Sequence, residues 1–203
     1  MKRFLLWGVF IGAILFHTAA ESAADWEALK EAAKNLRTVK AEFLQKRFLQ
    51  ILKTPLLSEG RFFFDATGGL RWEYQKPLRS LMLQKGDQIR GYHFADGVWK
   101  PDMTQAVEAR RLVLGEIRQW IQGRYEESKT FKFLFVPGPP AKVVLTPMEG
   151  IAKFINRIEI FISAEPGVIQ RVEIEEPGDS RTVIEFRNVE INSRLPAEIF
   201  DKP

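Results

Sequence analysis

The sequence predicts an antiparallel, mainly β domain with few and short helices. Three observations predict it. From Val39 onward apolar residues recur at every second position, turn-forming Gly, Pro and Asp separate these runs, and only two stretches carry helical spacing. Cysteine is absent, so an apolar core must hold the fold without disulfides.

The N-terminus reads as a leader. Met1-Lys2-Arg3 is basic, Phe4 to Phe16 is apolar apart from Gly8 and Gly12, and Thr18-Ala19-Ala20-Glu21-Ser22-Ala23-Ala24 is rich in small residues. That order is a secretory signal peptide with cleavage after Ala24 or Ala20. The apolar run is shorter than the roughly 20 residues a spanning helix needs. Residues 1–24 are therefore expected to be a signal peptide, and 25–203 a single exported domain. No cysteine follows the run to carry a lipid anchor.

Asp25 opens a helix in which Trp26, Leu29, Ala33 and Leu36 share one face, opposite Glu27, Lys30, Glu31 and Lys34. At about 12 residues it needs a packing partner to persist. The period then becomes two. Val39 to Leu52 reads as a first strand and Gly60 to Phe64 as a second, before the turn signal Asp65 to Gly69. In the third strand Leu70, Trp72 and Tyr74 face away from Arg71 and Glu73, and Lys76-Pro77 ends it. In the fourth, Leu81 and Leu83 alternate with Ser80, Met82 and Gln84. Lys85-Gly86-Asp87 turns into Gln88 to Tyr92.

Leu112 to Tyr125 has roughly helical spacing, so one or two short helices are expected, weakened or ended by Gly115 and Gly123. Strands resume at Phe131 to Val136, Lys142 to Thr146, Asn156 to Ser163, Val168 to Glu175 and Thr182 to Arg187. In the last three, Ile158, Ile160, Ile162, Val172, Ile174, Ile184 and Phe186 mark one face. This is a meander of hairpins with one wetted face.

Composition narrows the function. The 30 basic residues are interspersed with 26 acidic ones, with no basic stripe to bind nucleic acid. His17 lies in the leader and His93 stands alone. No zinc, nucleophile-elbow, phosphate-loop or calcium-loop motif occurs. The pairs Glu126-Glu127 and Glu175-Glu176 are adjacent in sequence, unlike a general acid and base converging from separate elements. No enzyme activity, metal or cofactor is expected. The 16 Phe and five Trp, with about two helices to cover a broad sheet, leave either a closed barrel or a curved sheet with an apolar cavity.

Several segments resemble the LolA family of periplasmic outer-membrane lipoprotein carriers. They are Val39 to Lys46, Ser58-Glu59-Gly60-Arg61-Phe62-Phe63-Phe64, Leu70-Arg71-Trp72-Glu73-Tyr74-Gln75-Lys76-Pro77, Val143 to Pro147 and Thr182 to Asn188, in order along the chain. The resemblance implies a strongly curved antiparallel sheet of about eleven strands, an unclosed β-barrel with a helical lid. It also implies a monomeric periplasmic carrier whose interior shields acyl chains between an ATP-driven inner-membrane donor complex and an outer-membrane acceptor. By family position and alternation, Phe43, Phe62, Phe64, Leu70, Trp72, Tyr74, Leu81 and Leu83 are expected to face the cavity, with Trp120 and Ile121 in the lid. Many carriers place an Arg-Pro pair in the turn after the second strand, where the arginine latches the lid. Here Ala66 and Thr67 stand at those positions, so the lid is expected to be held by packing. Two other readings stay open: a carrier of another envelope phospholipid or glycolipid, and an envelope module of the same fold that binds a protein partner.

Overall fold

The structure, a computed structural model, describes residues 25–102, 105–165 and 167–203, with the side chains of residues 105–112 and 197 outside that description. The expected signal peptide over 1–24 lies outside the described residues. Eleven strands form one antiparallel sheet: β1 (Thr38–Phe48), β2 (Leu56–Asp65), β3 (Gly69–Lys76), β4 (Ser80–Lys85), β5 (Gln88–Ala95), β6 (Val98–Pro101), β7 (Phe131–Val136), β8 (Lys142–Pro147), β9 (Arg157–Ile162), β10 (Ile169–Glu176) and β11 (Ser180–Ile191). Their spatial order is β6-β5-β4-β3-β2-β1-β11-β10-β9-β8-β7. The first and last strands therefore pair at the centre, and β6 and β7 are unpaired edges. The sheet is an unclosed barrel, as expected.

Among the described residues, two α-helices serve it. Helix α1 covers residues 25–34, and α2 (Gln105–Ile121) joins one free edge to the other. In α1, Leu29 and Ala33 are buried, and Trp26 stacks on Phe133 of β7 with ring centroids 5.4 Å apart. Helix α2 starts before the expected Leu112, and Gly115 sits inside it, exposed and unobstructed. Glycine in a helix interior costs about 1 kcal/mol, which the packed remainder of α2 outweighs. The chain leaves the helix at Gly123, whose φ is +68°.

β1 ends at Phe48, before the expected Leu52, and β5 runs on into a hairpin with β6. That hairpin turns on Asp96 (φ 54°) and Gly97 (φ 79°), the two positive dihedrals of a type I′ turn.

Register fixes which side chains face inward, because residues directly opposite in an antiparallel pair share a face. Phe62 stands opposite Trp72 and Phe64 opposite Leu70, while Phe63 stands opposite Arg71 on the other face. Tyr74 pairs with Ser80, so Trp72 is opposite Met82 and Leu70 opposite Gln84. Leu81 and Leu83 therefore point outward, opposite Glu73 and Arg71, which corrects their expected place in the cavity. They are buried nonetheless, at 1% and 4% exposure, on the face where a 3-10 turn (Ala197–Phe200) packs on β3 and β4. The Phe200 ring lies over Gly69, and Arg71 donates to the carbonyls of Ile199 and Lys202 at 3.1 and 2.9 Å. Elsewhere the outer face carries cross-strand ion pairs such as Lys40–Glu190 and Lys46–Glu185.

Candidate functional site

The inner face holds two apolar clusters that meet under α2. One contains Phe43, Phe62, Phe64, Leu70, Trp72 and Met82, the other Phe131, Val143, Leu145, Ile158 and Ile160. Leu114 and Ile121 of α2 belong to the first cluster and Trp120 to the second, while Ile117 packs against both. These positions recur at three- and four-residue intervals, so one stripe of the helix straddles the hollow.

Six of the expected cavity residues come together. Trp72 packs against Phe43 and Phe62 with ring centroids 5.1 and 5.4 Å apart, and Tyr74 meets Phe43 edge-on at 5.2 Å. Phe43 can lie so close to β2 because residue 60 is glycine. A Cβ there would stand 2.4 Å from the Phe43 ring and 2.0 Å from the Glu73 carbonyl oxygen. Phe64 and Leu70 are fully buried floor residues.

Among the described residues, two chambers adjoin α2, and a wider hollow of about 670 Å³ opens beyond Val168, Ile169, Phe186 and Val189. The inner one, of about 70 Å³, lies beneath α2 and has an entirely apolar wall that includes Phe62, Trp72, Trp120, Ile121, Val172 and Phe186. The outer one, of about 210 Å³, runs from Trp72 and Met82 past the β8–β9 connection, where Ile151, Phe154 and Ile155 line it. Its mouth is polar. Arg47 and Glu176 pair across it at 3.0 Å, and the Tyr74 hydroxyl donates to Gln45 Oε1 at 2.8 Å. The chambers share Trp72, Val113, Ile117, Ile174 and Ile184, so Val113 and Ile117, one helical turn apart, form a partition. Trp120 and Ile121, both on α2, are on the inner chamber's wall.

The interior also keeps polar atoms in reserve. The indole N–H groups of Trp72 and Trp120 are buried without a hydrogen-bond partner. Glu116 of α2 accepts from Thr130 Oγ1 at 2.8 Å through one carboxylate oxygen, while the other has no partner. Each buried unsatisfied group costs about 1–3 kcal/mol.

The turn expected to lack a latch is not without a cation. Thr67 is tied to Asp65, its backbone N–H donating to Oδ1 at 2.7 Å, and Ala66 packs on the first cluster. Arg118, reaching from α2, lays its guanidinium Nη2 3.1 Å from where a Gly68 Cβ would stand. Packing therefore shares the lid contact with an arginine supplied by the helix instead of the turn.

Sequence reasoning named neither the partition nor the far wall. Val172, Ile174, Ile184 and Phe186 were legible as one face of their strands, and the same alternation could have placed them opposite Trp72. Val113 and Ile117 lie on the helical repeat that already singled out Trp120 and Ile121.

An open antiparallel barrel, lidded over an apolar hollow by the helix that joins its free edges, defines a class of lidded open barrels. This chain belongs to the LolA family, the outer membrane lipoprotein carrier protein LolA, whose sequence model matches residues 34–202. It is 28% identical over 195 residues to the outer-membrane lipoprotein carrier protein of Nitrosospira multiformis, covering 95% of this chain and 90% of that one. It is 27% identical over 178 residues to the protein of that name from Dechloromonas aromatica, covering 86% and 81%. An uncharacterized conserved protein from Thermus thermophilus shares the fold at 10% identity, with a TM-score of 0.50 over 92% of this chain and 94% of that one.

Proposed function

We propose that this chain is a periplasmic carrier of acylated cargo, outer-membrane lipoproteins foremost, that shields acyl chains between an inner-membrane donor and an outer-membrane acceptor. The observation that carries this reading is the inner chamber: a wall without one polar side chain, closed by a helix that carries apolar residues into it. Both chambers fall below the roughly 300–1,000 Å³ of sites that enclose a drug-sized ligand. Loading an acyl chain into these two chambers therefore calls for α2 to lift. Because α2 pairs with no strand, lifting it breaks no sheet hydrogen bond. Its Val113, Ile117, Trp120 and Ile121 leave the hollow, and acyl methylenes replace them at about 0.8 kcal/mol each. The protein thus fills its own interior when empty, and cargo exchanges with the lid instead of with water. The unpaired indole N–H groups of Trp72 and Trp120 would give an ester carbonyl somewhere to bind.

The test is native mass spectrometry of the protein purified from the periplasm without detergent, followed by extraction of any adduct. The expected result is a stoichiometric acylated peptide. A phospholipid or glycolipid adduct would change the cargo, and an apo mass with no binding of added acylated peptide would overturn the reading.

A further inference from the structure

The exposed apolar side chains are not scattered. Ile51 is 88% exposed, Leu56 50% and Leu57 54%, all in or beside the β1–β2 connection (residues 49–55), and Leu78 in the β3–β4 connection is 79% exposed. Antiparallel pairing of Arg47 with Leu56 and of Glu59 with Lys76 puts both connections at one end of the sheet. Val98 and Phe154 project from the same end. Among the described residues, Leu134 is the large exposed apolar side chain that does not. This is the end at which the outer chamber opens, and β1 runs from Gln45 and Arg47 on its rim straight out to the tip.

Charge says what covers it. Residues 49–57 read Leu-Gln-Ile-Leu-Lys-Thr-Pro-Leu-Leu, and 77–80 read Pro-Leu-Arg-Ser. Both connections carry a cation and no carboxylate. Neither Lys53 nor Arg79 forms an ion pair with a described residue, and Arg79 stacks instead on Phe94 at 4.0 Å. The carboxylates of this end sit on other connections or strands: Glu59, Asp96 and Glu176 are paired with Lys76, Lys100 and Arg47, and Glu149, Glu175 and Asp179 lie toward the β7–β11 side. Aliphatic side chains projecting singly from a hairpin tip, flanked by unpaired cations, match hydrocarbon beneath anionic headgroups. They offer no groove for a helix or strand, and Phe154, the exposed aromatic of this end, lies on the β8–β9 connection with Lys153 over its ring at 4.9 Å instead of on the tip.

We propose that the β1–β2 tip, with Leu78 beside it, docks this protein on an anionic phospholipid bilayer and sets the chamber mouth against the membrane surface. This goes beyond the carrier reading and does not depend on which cargo the interior takes.

The test is flotation of the mature chain with vesicles of phosphatidylethanolamine and phosphatidylglycerol, and separately with vesicles of phosphatidylcholine alone. Binding to the anionic vesicles is expected. The double variant Ile51→Asp/Leu52→Asp should weaken it about a hundredfold, roughly tenfold for each aliphatic residue lost. Lys53→Glu should weaken it about tenfold on anionic vesicles and leave phosphatidylcholine unaffected. These residues are exposed, so the variants should melt with the parent and bind a fluorescent fatty acid in the interior equally well. That second readout separates failure of docking from failure of the carrier reading. Absence of flotation in the parent protein would overturn the proposal, as would equal flotation of the double variant. So would a concentration-dependent dimer in sedimentation velocity that the double substitution abolishes, because a second copy would then be what covers the tip.

Discussion

Replacing Ile117 with alanine should weaken the protein a little and improve its hold on an acyl chain considerably. Ile117 lines both chambers and packs against both apolar clusters, so its loss joins volumes of about 70 and 210 Å³. A fully packed Ile→Ala change costs about 2–5 kcal/mol. Ile117 is half-buried and borders empty space on two sides, so fewer contacts are lost and the cost should be about 1–2 kcal/mol. For a domain of this size that is a fall in Tm of about 3–6 °C. The three carbons removed leave room for about three methylenes, which at about 0.8 kcal/mol each contribute about 2 kcal/mol, or roughly 30-fold tighter binding. Thermal melts and titration with a fluorescent fatty acid read the two quantities. A destabilisation above about 4 kcal/mol with unchanged or weaker probe binding would show that Ile117 is ordinary core and that the partition argument is wrong.

Other expectations follow from single contacts. Arg118→Leu removes the cation that α2 rests on the Gly68 turn, and stopped-flow uptake of the same probe should quicken about fivefold; an unchanged rate would mean packing alone holds the helix. Gly60→Ala forces a methyl group against the Glu73 carbonyl and the Phe43 ring, and urea unfolding should show a loss of about 3 kcal/mol or more. A wild-type-like midpoint would contradict that close approach. Burial disfavours the Tyr125 phenolate and pushes the phenol's pKa well above its ordinary range. The folded state then binds a proton that the unfolded chain releases above about pH 10, so this contribution is intact below pH 10 and declines as pH rises beyond it. Tyr125→Phe should flatten the alkaline loss of stability by up to about 1.4 kcal/mol per pH unit, and parallel curves for the two proteins would count against it.

The strands of this fold were legible because most have one dry face and one wet one. Arg71 and Glu73 against Leu70, Trp72 and Tyr74 leave no doubt about β3, and the same holds for β9 and β10. β4 was legible as a strand but not as to face. Leu81, Met82, Leu83 and Gln84 are all buried, since the C-terminal turn covers the outside as the core covers the inside, and alternation has no sign when both faces are dry. The information lay in parity: a connection that sets Tyr74 opposite Ser80 sends every odd residue of β4 outward. The hairpin into β6 was marked by Asp96-Gly97 between Phe94 and Trp99, a strong short-range turn signal. The early start of α2 was marked by the run Gln105 to Arg111, rich in Ala, Glu and Arg. What could not be read was which inward residues pack and which border space. Phe64 and Phe62 are two apart on one strand and chemically identical, yet only Phe62 reaches the inner chamber, because Phe64 lies under Leu70 and Ala66 at the closed end.

The pairing of β1 with β11 also has a consequence in time. β1 is the first strand to be made and one of its edges is satisfied by β2 almost at once, but its other partner is the last strand of the chain. Until β11 arrives, the half-sheet β1–β6 carries an open edge at Thr38–Phe48 and an uncovered layer of Phe43, Phe62 and Trp72, a surface suited to association with other chains. A chain whose synthesis has not yet reached β11 therefore keeps that edge and that layer exposed for almost the whole of its length. A truncation that removes β11 should leave not a shorter carrier but an aggregating half-barrel.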